Sequence, residues 1–238
     1  MKIAMLGYGK MGKKIDELAQ ATGHEFILKI DQDNRHTLTP ESLKQADVAI
    51  EFSEPASAVE NIKFCLTNGI PIVSGTTGWL GHYEEICDLC EKEEGAFFYA
   101  SNYSIGVHLF RTINKQLAHL LETQPSYQPQ LTEIHHTQKL DAPSGTAITL
   151  AEDLLSEINN KNRWSNEQTD DPQILSIISE RIDKVPGTHR IDWQSAVDTI
   201  RLEHIAHSRE GFAKGALTAA NWIVGKKGVF GMKDMVGF

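Results

Sequence analysis

Cysteine is scarce in this chain: three residues in 238, Cys65, Cys87 and Cys90. So small and odd a number argues against a disulfide framework and fits a reducing compartment. Cys87 and Cys90 are spaced C-x-x-C, but they fall inside a helical pattern from His82 to Glu94 with no second ligand pair, so they read as structural. Positive charge is also short, with 23 Lys and Arg against 32 Asp and Glu and a formal net charge of −9. That balance argues against a nucleic-acid partner, whose phosphates need clustered basic residues, although a local basic pocket remains compatible with it. Long apolar runs are missing. Ile3–Leu6 ends at once in glycine, too short for a secretory h-region, and nothing approaches the roughly 20 residues of a membrane span. The expected setting is the cytoplasm, with no membrane attachment, for one large domain or two modest ones.

What the chain does have is alternation. Lys2–Leu6 reads as a buried strand, Gly7-Tyr-Gly-Lys-Met-Gly12 as a tight glycine loop, and Lys13–Ala21 as a helix. A second strand, Glu25–Ile30, closes on Asp31 about 20 residues after the glycines, as in dinucleotide-binding βαβ units. The glycines allow close approach to a pyrophosphate, the helix start offers N–H groups, and Asp31 can accept from both ribose hydroxyls. Strands over 48–52, 70–74 and 96–99 alternate with helices over 55–67 and 82–94, and between Asp31 and Val48 only a short turn of helix fits. This predicts a doubly wound parallel sheet. The loops Gly75-Thr-Thr-Gly78 and Ala100-Ser-Asn-Tyr103 then leave the carboxyl ends of strands, where ligands bind.

After Tyr103 the rhythm changes. Residues 104–122 read as one long helix capped by Ser104, and Gln124–Pro129 breaks the chain. A strand over 130–136, a helix over 146–159, a polar loop over 160–171 and strands over 174–181, 188–193 and 196–206 predict an α+β domain. Its open mixed sheet has one face under a helix, and self-association would bury the other. A last helix over 213–224 returns to the first domain. The expected division is 1–103 with 209–238, and 104–208.

The densest chemistry lies at Glu133-Ile-His-His-Thr-Gln-Lys-Leu-Asp-Ala-Pro-Ser-Gly-Thr-Ala147. Ser144 is placed to cap the helix that follows, which aims the N–H groups around Gly145 and Thr146, with the Thr146 hydroxyl, at an anion. Lys139 can pair with a carboxylate or give up a proton. His135 and His136 point to opposite faces if both are on a strand. Adjacent histidines lack metal-site spacing, and no G-x-S-x-G elbow surrounds Ser144, so neither a metal nor a serine nucleophile is expected. Asp141 either orients Lys139 or braces the turn. A dinucleotide domain, an anion-binding helix start and an acid/base pair point to hydride transfer onto a small carboxylated substrate.

His135-His-Thr-Gln-Lys-Leu-Asp-Ala-Pro-Ser-Gly-Thr-Ala147 closely resembles the signature of the dihydrodipicolinate reductase (4-hydroxy-tetrahydrodipicolinate reductase) family of bacterial lysine biosynthesis. Gly7–Lys13, Gly75–Gly78, Ala100–Gly106, Ser208–Ala216 and the closing Gly228–Met235 match as well. The resemblance implies a Rossmann-type first domain, NADH or NADPH as cofactor, a cyclic dicarboxylate substrate and a homotetramer. It implies that Gly7, Gly9, Lys10, Met11 and Gly12 hold the pyrophosphate and Asp31 the adenine ribose. Gly75, Thr76 and Thr77, with Ala100, Ser101, Asn102 and Tyr103, would line the nicotinamide side. His135 would be a proton donor and acceptor, Lys139 a proton donor, and His136, Gly145 and Thr146 the substrate-carboxylate ligands. The chain departs from the family in a short span between Asp31 and Val48, a shorter second domain, Tyr8 in the glycine loop, and Gln138 where relatives are often basic. Gln32 after Asp31, in place of an arginine, leans toward NADH, with Arg35 close enough to admit NADPH. The competing readings are a dehydrogenase of another small amino or keto acid and a non-catalytic nucleotide sensor.

Overall fold

The computed structural model describes residues 1–208 and 210–237. Arg209, at the expected domain boundary and inside the Ser208–Ala216 segment, and Phe238 lie outside the described residues. In chain order the elements are β1 (Lys2–Leu6), α1 (Lys10–Ala21), β2 (Glu25–Ile30), α2 (Pro40–Leu43), β3 (Val48–Glu51), α3 (Pro55–Thr67), β4 (Ile72–Ser74), α4 (Tyr83–Lys92) and β5 (Ala96–Tyr99). There follow α5 (Ile105–Leu121), β6 (Gln128–His135), α6 (Gly145–Leu155), β7 (Arg163–Ser165), β8 (Ile174–Arg181), β9 (Gly187–Gln194), β10 (Thr199–Ala206), α7 (Glu210–Ile223), β11 (Gly228–Phe230) and α8 (Met232–Val236). The chain divides into two compact units, Met1–Ile105 with Glu210–Phe238, and Gly106–Arg209.

In the first unit six strands pair in the order β11-β5-β4-β3-β1-β2, every pair parallel. Successive side chains of a strand face opposite ways, so β1 feeds two cores. Ile3 and Met5 pack with Ile15 and Ala19 of α1 and Ala216 and Ala220 of α7. Ala4 and Leu6 pack with Ile62 and Leu66 of α3 and Ile86 of α4. Burial on both faces is why these strands are apolar runs with no alternation. β11 was not foreseen: three residues extend the sheet beside β5 in a segment too short to show a period. β4 begins two residues later than expected, after Pro71, which has no N–H to donate.

The second unit holds a five-stranded mixed sheet, order β10-β9-β6-β8-β7. β6 runs parallel to β8 and antiparallel to β9. Leu131, Leu175, Ile177, Ile191 and Trp193 bury one face against Phe110 and Ala118 of α5 and Leu150 and Leu154 of α6. The opposite face carries polar side chains, among them Asp192, paired with Arg190 at 3.1 Å and Arg201 at 2.5 Å. The expected polar loop over 160–171 is corrected in two respects. It contains β7, and Lys161 is buried, its Nζ donating to the carbonyls of Pro172 (3.1 Å) and Ile174 (3.2 Å). β10 starts at Thr199 because Ser195–Asp198 closes a tight turn, the Ser195 N–H donating to the Asp198 carbonyl at 2.9 Å. Among the described residues no helix is long and apolar enough to cross a membrane.

Candidate functional site

In the first unit the loops after β1, β2, β3, β4 and β5 leave the same edge of the parallel sheet, and strand order reverses between β1 and β3, the usual crevice for a ligand. Gly7 takes φ 97°, and a Cβ there would run into the Phe52 carbonyl; a Cβ at Gly12 would sit 2.6 Å from the Gly7 oxygen. These two glycines close the turn. Gly9 serves the turn's outside: nothing lies within 4 Å of where its Cβ would be, and no side chain caps α1 there. That uncapped start, with exposed Lys10 beside half-buried Met11, is a cradle for an anionic phosphate bridge, so the residues present fit a dinucleotide. Tyr8, out of place by the family pattern, is tied back. Its hydroxyl donates to the buried Asp16 carboxylate, which also holds Lys29 at 2.7 Å, and Lys29 stands 5.3 Å over the Tyr8 ring.

Asp31 ends β2 in a fixed turn. One carboxylate oxygen accepts from the N–H of Asp33 (3.0 Å) and Asn34 (3.2 Å), and the other can accept from a ribose. Beneath the β4 loop lies Glu51, fully buried, accepting from Ser53 N–H (2.9 Å), the Ser53 hydroxyl, Ser74 Oγ (2.6 Å) and Thr76 Oγ1 (2.8 Å). The Thr76 hydroxyl therefore points inward, and its carbonyl accepts from Trp79 Nε1 at 2.7 Å. Tyr103 is likewise interior, its hydroxyl donating to the Ser74 carbonyl at 2.6 Å. At both positions the side chain braces its loop from within. Gly75 is required because a Cβ would enter the Phe52 ring. Thr77 and Ser101 are exposed, Ala100 is buried, and Asn102 uses its Oδ1 to accept from the Ser104 N–H at 2.9 Å.

In the second unit the signature runs off the end of β6. His135 is its last residue and His136 lies beyond it, half-buried. Positions two apart on a strand share a face, so Glu133 and His135 meet, and the His135 Nδ1–H donates to Glu133. Lys139 Nζ lies 2.7 Å from both oxygens of Asp141, so Asp141 holds the lysine head, and Lys139 in turn keeps the Asp141 carboxyl below its ordinary range. Ser144 caps α6, its hydroxyl accepting from Ala147 N–H at 3.2 Å, a bond of the kind worth about 0.5–2 kcal/mol. Gly145, exposed, and Thr146, half-buried, open that helix.

Two residues that carry no signal in the local sequence complete this cluster. Register places His189 of β9 opposite Glu133 and Arg181 of β8 opposite His135. His189 meets the His135 ring edge-on, with centroids 5.3 Å apart, and its Nε2 lies 3.2 Å from Ser144 Oγ. Arg181 Nη2 lies 2.9 Å from Glu133. Glu51, within the first unit, is a further residue that the local sequence does not signal, and it braces the β4 loop through Ser74 and Thr76. Ligand atoms of Glu133, His135 and His189 fall within 4.8 Å of one another, a grouping that adjacent-histidine spacing could not reveal. His135 and Arg181 take one Glu133 oxygen each, and a guanidinium against the carboxylate disfavours a cation.

Residues 1–103 match the family described as dihydrodipicolinate reductase, N-terminus, and residues 106–236 match dihydrodipicolinate reductase, C-terminus. The chain belongs to the dihydrodipicolinate reductase family. The 4-hydroxy-tetrahydrodipicolinate reductase of Christiangramia forsetii is 44% identical over 237 residues, covering 99% of this chain and 98% of the relative. That of Staphylococcus aureus is 34% identical, covering 97% and 98%. The fold is that of a dipicolinate-bound dihydrodipicolinate reductase from Paenisporosarcina sp., with TM-score 0.77 at 23% identity and 98% of each chain covered.

For this member of the dihydrodipicolinate reductase family the buried cluster sets a pH dependence of stability. Burial opposes ionisation of Glu133, but the contacts from His135 and Arg181 outweigh it and hold the carboxyl down at about 2. Burial, reinforced by the neighbouring His135, pushes His189 down to about 3. Both folded values lie below the ordinary ones, so the unfolded chain binds protons that the native state refuses, and stability falls as pH drops. The His189 contribution is complete above pH 6.5 and fades down to about 3; that of Glu133 is complete above 4.5 and fades down to about 2. Urea midpoints measured from pH 7 to 4.5 should therefore fall less steeply in His189→Gln than in the unsubstituted protein. His204, also lowered by burial, keeps the slope from vanishing.

Proposed function

We propose that this chain is an NAD(P)H-dependent 4-hydroxy-tetrahydrodipicolinate reductase, forming tetrahydrodipicolinate on the diaminopimelate route to lysine. The observation that carries the reading is the family signature folded as one cluster: Lys139 against Asp141, His135 against Glu133, and a helix start capped from within by Ser144. The reduced nicotinamide supplies a hydride; the protein's own residues handle the proton and the charges. Lys139, its ammonium group held by Asp141, can donate a proton to the carbon or nitrogen that becomes electron-rich. His135, with Nδ1 committed to Glu133, exchanges protons through Nε2. His136 and the N–H groups of Gly145 and Thr146 hold the carboxylates of a cyclic dicarboxylate, as helix starts do.

The first unit is assigned the nucleotide, through Gly7, Gly9, Lys10, Met11, Gly12 and Asp31, with Gly75, Thr76, Thr77 and Ala100–Tyr103 supporting the nicotinamide. Asp31 and Asp33 put two carboxylates in the turn after β2, and Arg35 rests 5.8 Å over the Phe64 ring, which together favour NADH over a 2′-phosphate. The second unit is assigned the substrate and a homotetramer built through the open face of its sheet, where Ile205 of β10 is 52% exposed; sedimentation measures that assembly. Three free cysteines support a cytoplasmic enzyme.

The test is oxidation of NADH and NADPH with substrate generated by the preceding synthase, alongside a panel of other amino and keto acids. Absence of turnover by folded protein with either nucleotide overturns the proposal. Turnover of another acid only would favour a different dehydrogenase, and binding without turnover a sensor.

A further inference from the structure

His135 sits at a strand end and Lys139 in a loop whose next residue, Leu140, is 97% exposed. Proton transfer needs both held to within a few tenths of an ångström, and a loop of this exposure does not hold itself. One side chain reaches both the strand end and the loop. The parallel register that sets Arg181 beside His135 puts its guanidinium on the face that carries Glu133. Nη2 lies 2.9 Å from Glu133 Oε1 and donates to the Asp141 carbonyl at 2.6 Å. Nε donates to the Lys139 carbonyl at 3.3 Å, and Nη1 to the Glu180 carbonyl at 2.8 Å. The group is therefore anchored at its own strand while it grips the strand end and both ends of the Lys139–Asp141 turn.

We infer that Arg181 is the positioning residue for both proton-handling groups, acting on His135 through Glu133 and on Lys139 through the main chain of its turn; this rests on the function proposed above. Glu133, held by Arg181 on one oxygen, presents the other to the His135 Nδ1–H and so leaves Nε2 as the ring nitrogen that Glu133 does not engage. Room is kept at that nitrogen by Gly187, where a Cβ would stand 3.1 Å from Nε2. His189 backs the ring edge-on. The requirement is geometric as well as electrostatic. A planar fork with five donors can reach a carboxylate and three carbonyls at once, and a lysine ammonium of equal charge cannot. If Arg181 did no more than neutralise a buried carboxylate, Lys would serve nearly as well.

Arg181→Lys separates the two. The expected outcome is a kcat lower by about 10²-fold, the scale of a misplaced general acid. The solvent deuterium isotope effect on kcat should rise, and the primary effect with NADH deuterated at the transferred position should move toward unity. Binding of pyridine-2,6-dicarboxylate in the presence of NADH, read by calorimetry, should persist. A wild-type kcat, or a loss of kcat with both isotope effects as in the unsubstituted enzyme, overturns the inference, because a smaller folded fraction lowers rate without changing either effect. Should Arg181→Lys fail to fold, Glu133→Gln keeps an oxygen for the His135 N–H while losing the ion pair. It should show the same two isotope shifts, and their absence counts against the inference. Failure of the unsubstituted enzyme to turn over at all would instead overturn the proposed function.

Discussion

Replacing Lys139 by methionine is expected to lower kcat by about 10²–10⁴-fold with nucleotide binding intact. The substitution keeps an apolar stem of similar length and removes the ammonium group alone, so packing around the loop changes little. Collapse of the loop is not expected, because its main chain is held independently of the lysine head. The Lys139 N–H donates to the His136 carbonyl at 3.1 Å, and the Lys139 carbonyl accepts from Arg181. Two of the ammonium protons face Asp141 at 2.7 Å, and a third is left to give to a substrate. Asp141→Asn should cost less, since it loosens the lysine without removing the acid. Steady-state rates with synthase-generated substrate, beside a nucleotide titration, check both. A Lys139→Met enzyme at full kcat would refute the assignment of the acid.

At the other end of the chemistry, Gly7→Ala is expected to destabilise the protein and abolish nucleotide binding together. Forcing a side chain into φ 97° costs about 1–3 kcal/mol. Collision of its Cβ with the Phe52 carbonyl adds about 1–3 kcal/mol of overpacking. Against a typical stability of about 5–15 kcal/mol that is a large share. Gly9→Ala is the informative partner. Its Cβ meets nothing in the protein, so the urea midpoint should hold, yet the methyl group occupies the space the pyrophosphate would use. NADH titration of the two variants thus separates folding from binding. Undiminished binding by Gly9→Ala would remove the glycine loop from the nucleotide site.

The sequence by itself determined everything whose cause is local or periodic. Apolar runs at Lys2–Leu6 and Val48–Phe52 specify strands buried on both faces, and the glycine spacing specifies a turn into a helix. Ser144 is legible as a cap because capping acts within three residues. The Glu133–His135 pairing is absent from the sequence reading, although positions two apart on a strand face the same way. Short elements escaped: β7 and β11, three residues each, are strands only because β8 and β5 offer them hydrogen bonds. The direction of a loop side chain is not legible either: that the Thr76 hydroxyl turns in to Glu51 depends on packing between strands.

Only the tertiary structure decided the company His135 keeps. Arg181 is 46 residues downstream and His189 is 54, separations across which no local pattern carries information. Sheet register alone sets them beside the signature, one on a parallel neighbour and one on an antiparallel one, and a one-residue slip in either strand would turn that strand's residue away from it.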